Sequence, residues 1–63
     1  MRDISRIPRM IESLERLWIK FPDWRMGQLI ENIKSFSEKE DLYYMEDDEF
    51  EKLIQDFYDT YTD

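Results

Sequence analysis

The side chains best suited to chemistry in this chain are its carboxylates. Four stand in a row, Glu46, Asp47, Asp48 and Glu49, directly after Tyr43, Tyr44 and Met45. Such oxygen ligands can hold Ca²⁺ or Mg²⁺, and two of them facing each other across a cleft can perform acid–base hydrolysis. The spacing argues against both. A calcium loop of the EF-hand type needs acids at alternating positions and a glycine at the bend, whereas these acids are consecutive and no glycine follows. Consecutive side chains on a helix splay by about 100°, so no more than about two of the four could reach one ion.

The rest of the composition narrows the chemistry further. Histidine and cysteine are both absent. That removes the commonest proton-transfer group near neutral pH, the usual zinc ligands and any disulfide framework. No Ser/His pairing and no glycine-rich phosphate loop is present. The expectation is a protein that is not an enzyme and uses no metal or cofactor.

Charge points the same way. Residues 1–34 carry seven Lys/Arg and five Asp/Glu, a net +2; residues 35–63 carry two and eleven, a net −9; together they give the −7 of the chain. An acidic half repels phosphates, so direct nucleic-acid binding is not expected. The opening MRDISRIPRM has no apolar core of a signal peptide, and no apolar run is long enough to cross a bilayer. The default expectation is a cytoplasmic protein without membrane association.

Three helical patterns must position these groups. In the first, Ile7, Met10, Ile11, Leu14, Leu17, Trp18 and Phe21 recur at helical spacing. Pro8 suits a first turn, Pro22 stops the run, and Phe21 is pushed out of helical geometry. Glu12 and Arg16 stand four apart and can pair. The second pattern starts at Asp23, read as its N-cap, and has Met26, Leu29, Ile30, Ile33 and Phe36 as its stripe. Gly27, the only glycine, is expected to admit the close approach of another helix. The third pattern has Phe50, Leu53, Ile54, Phe57, Tyr58 and Tyr61 on one arc, with Glu51, Lys52, Gln55, Asp56 and Asp59 on the other. Either Glu46 or Asp48 can serve as its cap. The acidic run is then a helix start, where carboxylates facing the positive end of the dipole contribute roughly 0.3–1 kcal/mol each. Between the second and third patterns, Ser35 to Met45 reads as an irregular connection. Residues 1–63 thus form a single small all-α domain: a compact bundle of three short helices around an aromatic core.

KFPDWRMGQLI (Lys20 to Ile30), preceded by a helix ending in LERLW, and YMEDDEF (Tyr44 to Phe50) together resemble the YihD-like family of small uncharacterised proteins. The resemblance covers about residues 6 to 54. It implies a short helical bacterial protein, with similar sequences in phages and prophages, and it supplies no catalytic residue.

Capping needs one or two of the four acids, so a surplus of charge is left beside the two tyrosines. The expected function is therefore protein interaction, as a small regulatory or accessory module. Its candidate partner-binding residues are Tyr43, Tyr44, Asp47, Asp48 and Glu49, together with Trp24, which lies off the second stripe. Trp24 has a plainer use as a cover for the open end of the core. Arg2, Arg6 and Arg9 either pair with acids within the domain or form a flexible arm. Two alternatives stand beside this reading. In one, Glu49, Asp56, Asp59 and Asp63 mimic phosphates and occupy the groove of a basic nucleic-acid-binding protein. In the other, the chain is a structural homodimer.

Overall fold

The computed structural model describes residues 2–62. Among them are three helices and no strand: α1 (Arg6–Lys20), α2 (Met26–Ser37) and α3 (Asp47–Tyr61). Pro8 lies in the first turn of α1, where a missing N–H leaves no hydrogen bond unmade. At the other end Phe21 adopts φ −131°, and its amide donates to the Trp18 carbonyl. Lys20 stands in the last turn, at the negative end of the dipole.

The start of α2 differs from the sequence expectation. Asp23 is not its N-cap; the helix begins at Met26, with Arg25 in extended backbone as the cap. Residues between Phe21 and Trp24 instead form a turn, closed by Trp24 N–H to Phe21 O at 3.1 Å. Two contacts hold that turn. The Phe21 and Trp24 rings stack at 4.3 Å and 8°, and the Trp18 indole N–H donates to the Trp24 carbonyl at 2.8 Å. Helical geometry resumes only past this clamp, where Gln28 Oε1 accepts the Arg25 amide at 2.7 Å. That bond is the reach-back half of a capping box.

The connection to α3 turns at Leu42, whose carbonyl accepts the Met45 amide at 3.2 Å. Of the two candidate caps, Glu46 takes the position. Met45 and Phe50 flank it at staple spacing and are both half-buried. Asp47, Asp48 and Glu49 form the acidic first turn.

α3 packs on both α1 and α2, while α1 and α2 touch each other least. The centre is more aliphatic than the sequence suggests. Leu17, Leu29, Ile33, Ile54 and Phe57 are the buried residues, so Phe57 is the single ring at the centre. Trp18, Phe21, Trp24, Phe36, Phe50 and Tyr58 lie half-buried around it. Three short helices cannot enclose many large rings, and in so small a domain much of the apolar surface stays at the margin.

Gly27 also departs from expectation. No helix approaches it: a Cβ placed there meets nothing within 4 Å, and its φ is not positive. The position that calls for glycine is Glu38, which ends α2 in the left-handed region at φ 62°. Gly27→Ala is expected to stabilise the fold by about 0.5 kcal/mol. Glu38→Gly is expected to add about 1 kcal/mol by relieving the left-handed backbone. Urea titration of the two variants checks both, and a loss of stability in either contradicts the geometry just described.

Candidate functional site

Arginines of the N-terminal stretch and α1 run along the flank of α3. Arg2 meets Glu46 at 2.9 Å, Arg6 meets Asp47 at 2.5 Å, and Arg9 grips both oxygens of Glu51 at 2.5 and 3.0 Å. Arg16 continues the row. Its guanidinium donates to Gln55 Oε1 at 2.9 Å and lies 4.6 Å from the centre of the Tyr58 ring. Arg16 therefore turns to α3 rather than to Glu12. Partners ascend together along both segments, so α1 and α3 lie side by side in the same sense. Arg2, Arg6 and Arg9 are consequently not a flexible arm. The hydrogen bonds to Glu46 and Glu51 raise the pKa values of Arg2 and Arg9 above the ordinary guanidinium value.

This row divides the acidic run. Glu46 and Asp47 are engaged with arginines, whereas Asp48 and Glu49 are exposed, with Asp48 Oδ1 accepting the Glu49 amide at 2.9 Å. Near the start of α1, Asp3 accepts the Ser5 amide at 2.9 Å. That bond, with minor help from Arg9 and Arg6, lowers the Asp3 pKa from 3.8. Because the folded value lies below the unfolded one, this contribution is present above about pH 4 and is lost on acidification.

Tyr43 and Tyr44 stand clear of the bundle, each 84% exposed. Their rings meet edge to face at 4.8 Å, and the Tyr43 amide donates to Asp41 at 3.2 Å. Trp24 is elsewhere. It is half-buried, stacked on Phe21 and edge-on to Phe57 at 6.2 Å. Phe57 lies ten residues beyond Asp47, about 15 Å along α3. Tyr43 and Tyr44 thus pair with each other and with Asp41, Asp47 points into the arginine row, and Trp24 packs ten residues farther along α3.

An apolar groove lies where the sequence offers no motif. A groove of about 500 Å³ runs between α1 and α2, lined by Ile11, Trp18, Ile19, Met26, Leu29 and Ile30 among others, with Glu15 as its one charged side chain. Ile11, Ile19 and Met26 are 59, 67 and 62% exposed. Ile11 and Met26 belong to the sequence stripes, yet they lie on this open side. A signal for it exists in the chain. At about 100° per residue, Ile11 lies about 120° and Ile19 about 160° from Leu17, too wide an arc for one core-facing stripe.

No group of three or more metal-ligating side chains occurs among the described residues. No helix there is long and apolar enough to cross a membrane. Compared with known proteins, the chain matches no family, no curated protein and no solved structure.

Proposed function

We propose that this protein is a protein-interaction module, a small accessory domain that docks another polypeptide in the groove between α1 and α2. The observation that carries this reading is the exposure of Ile11, Ile19 and Met26 around a channel with one charge. Contiguous apolar surface beside a polar remainder is the physical signature of a docking face, and an amphipathic helix is the element that fits a channel between two helices. The Tyr43–Tyr44 corner, with Asp48 and Glu49, serves as an accessory contact, giving aromatic anchoring and electrostatic steering. Kinship with the YihD-like family, proposed from KFPDWRMGQLI and YMEDDEF, agrees with the helical fold and assigns no chemistry.

A second reading draws on the outer face of α3. Asp48, Glu49, Asp56 and Asp59 spread there around Lys52, so the face could imitate phosphates before a basic protein. Asp56 is held by Lys52 at 3.0 Å and Asp59 by Gln55 at 2.9 Å, which reduces the charge free to do so. Asp63, assigned to the same face from the sequence, lies outside the described residues.

Affinity capture from host lysate at low and high salt separates the readings. Docking in the groove predicts a polypeptide retained at high salt and lost from an Ile11→Lys/Ile19→Lys variant. Mimicry predicts a basic protein released by salt and lost when Asp48, Glu49 and Asp56 become amides. Retention by the groove variant contradicts the proposed site.

A further inference from the structure

We infer that the cleft beside Trp24 is a binding site of its own, which takes the guanidinium group of an arginine side chain presented by another polypeptide. It lies apart from the α1–α2 groove and does not depend on what fills that groove.

The starting point is Gly27. A glycine inside a helix is destabilising, and nothing in the fold requires this one. Its φ is not positive, and a Cβ placed there meets nothing within 4 Å. Gly27 instead borders a cleft of about 310 Å³, together with Trp24, Gln28, Glu31 and Asn32. Gly27 and Glu31 stand four apart on α2, as do Gln28 and Asn32, so these residues share one side of the helix. A side chain at position 27 would grow into this space. Its absence leaves Trp24 and Glu31 open to a ligand.

Trp24 offers the cleft an aromatic wall. Phe21 covers one face of its ring, stacked at 4.3 Å and 8°. Phe57 stands 6.2 Å from Trp24 and 6.3 Å from Phe21, nearly equidistant, so it lies beside the stack rather than over it. No described ring covers the other face of Trp24, which is half-buried.

Charge selects the ligand. Glu31 is the one charged side chain lining the cleft. It is 70% exposed, and Lys34 reaches it only at 3.6 Å, too long for a good hydrogen bond. Ring, carboxylate and amide oxygen together are what a guanidinium uses, since it lies flat on aromatic rings and forks its N–H donors onto oxygens. The chain holds one of its own guanidiniums in a similar way: Arg16 lies 4.6 Å from the centre of the Tyr58 ring and donates to the Gln55 amide oxygen at 2.9 Å. The Trp24 cleft adds a carboxylate to that combination, and a chain of net charge −7 attracts cations from a distance. A second cleft, of about 390 Å³, adjoins the first through Trp24 and Asn32, and its walls include Phe36 and Tyr61 but no charged side chain. Free arginine therefore fits poorly, because its own carboxylate meets no cation lining either cleft. An arginine within a polypeptide carries no such carboxylate, and the aromatic cleft can receive its neighbours.

Titration of the ¹⁵N-labelled chain with N-acetyl-arginine amide, up to about 20 mM as a single side chain requires, tests this by NMR. The Trp24 indole and the Gly27 and Asn32 amides should move together. The neutral isostere N-acetyl-citrulline amide should bind at least about tenfold more weakly, as should N-acetyl-arginine amide to Glu31→Gln. Gly27→Leu should be at least as stable as the wild type in urea, because leucine favours the helix, and yet bind at least about tenfold more weakly. A position with only a structural role would not gain stability while losing a ligand. No shift at Trp24 overturns the inference, as does citrulline binding as tightly as arginine. Full binding by Gly27→Leu and Glu31→Gln also overturns it, and so do shifts at Ile11 and Ile19 in place of Trp24. Free arginine binding as well as the amide overturns the polypeptide source.

Discussion

Phe57→Ala is expected to leave the protein largely unfolded at room temperature. Truncating a buried phenylalanine costs about 3–5 kcal/mol, while a domain of this length holds roughly 3–9 kcal/mol in total. Phe57 is 4% exposed and meets four other rings: Phe36 at 5.3 Å, Tyr61 at 4.8 Å, Trp24 at 6.2 Å and Phe21 at 6.3 Å. It joins the clamp between α1 and α2 to the end of α2, so its loss loosens both seats of α3. Phe57→Leu should keep most of the stability, because volume and apolarity are largely retained. Far-UV circular dichroism with urea titration measures both. A Phe57→Ala protein that keeps the wild-type midpoint would contradict the place assigned to this ring.

Trp24→Ala should cost about 2–3 kcal/mol, less than full burial implies because the ring is half-buried. It removes the face-to-face stack on Phe21 and the edge contact to Phe57. It leaves the backbone carbonyl that accepts the Trp18 indole N–H. Trp24→Phe should recover much of the loss by restoring a ring over Phe21. The measurement is again the urea midpoint, with Trp18 fluorescence as the reporter. An unchanged midpoint would return Trp24 to the list of free partner-binding residues. Both variants outweigh any single member of the arginine row, because exposed ion pairs contribute little and salt screens them. The row sets which flank of α1 receives α3; the buried residues supply the stability.

Much of this architecture was legible from particular residues. Pro8 and Pro22 bound α1, the apolar periodicity located α3, and the acids from Glu46 to Glu49 marked its first turn. The start of α2 was not legible, because the Phe21–Trp24 stack that delays it is a contact in space rather than a local preference. The left-handed Glu38 carries no sequence signal, since glycine is the residue that normally marks such a position. The groove was only partly legible, in the wide apolar arc of α1 that reaches from Leu17 to Ile19. Periodicity shows that Ile7, Ile11 and Leu17 lie on an apolar arc of one helix, but not how much of that arc the neighbours cover. Only the placement of α3 on the arginine flank shows that Leu17 is enclosed and Ile11 is not. Tyr43 and Tyr44 are exposed, as residues of a connection can be, and their rings meet each other. Trp24 was grouped with them by its absence from a stripe, and the fold packs it against Phe21 and Phe57.

The arginine row also has a consequence for the order of events in folding. The residues it joins are 39 to 44 apart in the chain. α1 and α2, the sequence neighbours, make the weakest of the helix contacts. A nascent segment ending at Met45 holds Leu17, Leu29 and Ile33 but neither Ile54 nor Phe57, so it has no closed core. Local helices can flicker, and α2 and α3 are close in the chain, but the α1–α3 contacts close a loop of about forty residues, at an entropic cost that a contact between neighbouring helices does not meet. The first two helices thus depend on the third for a closed core.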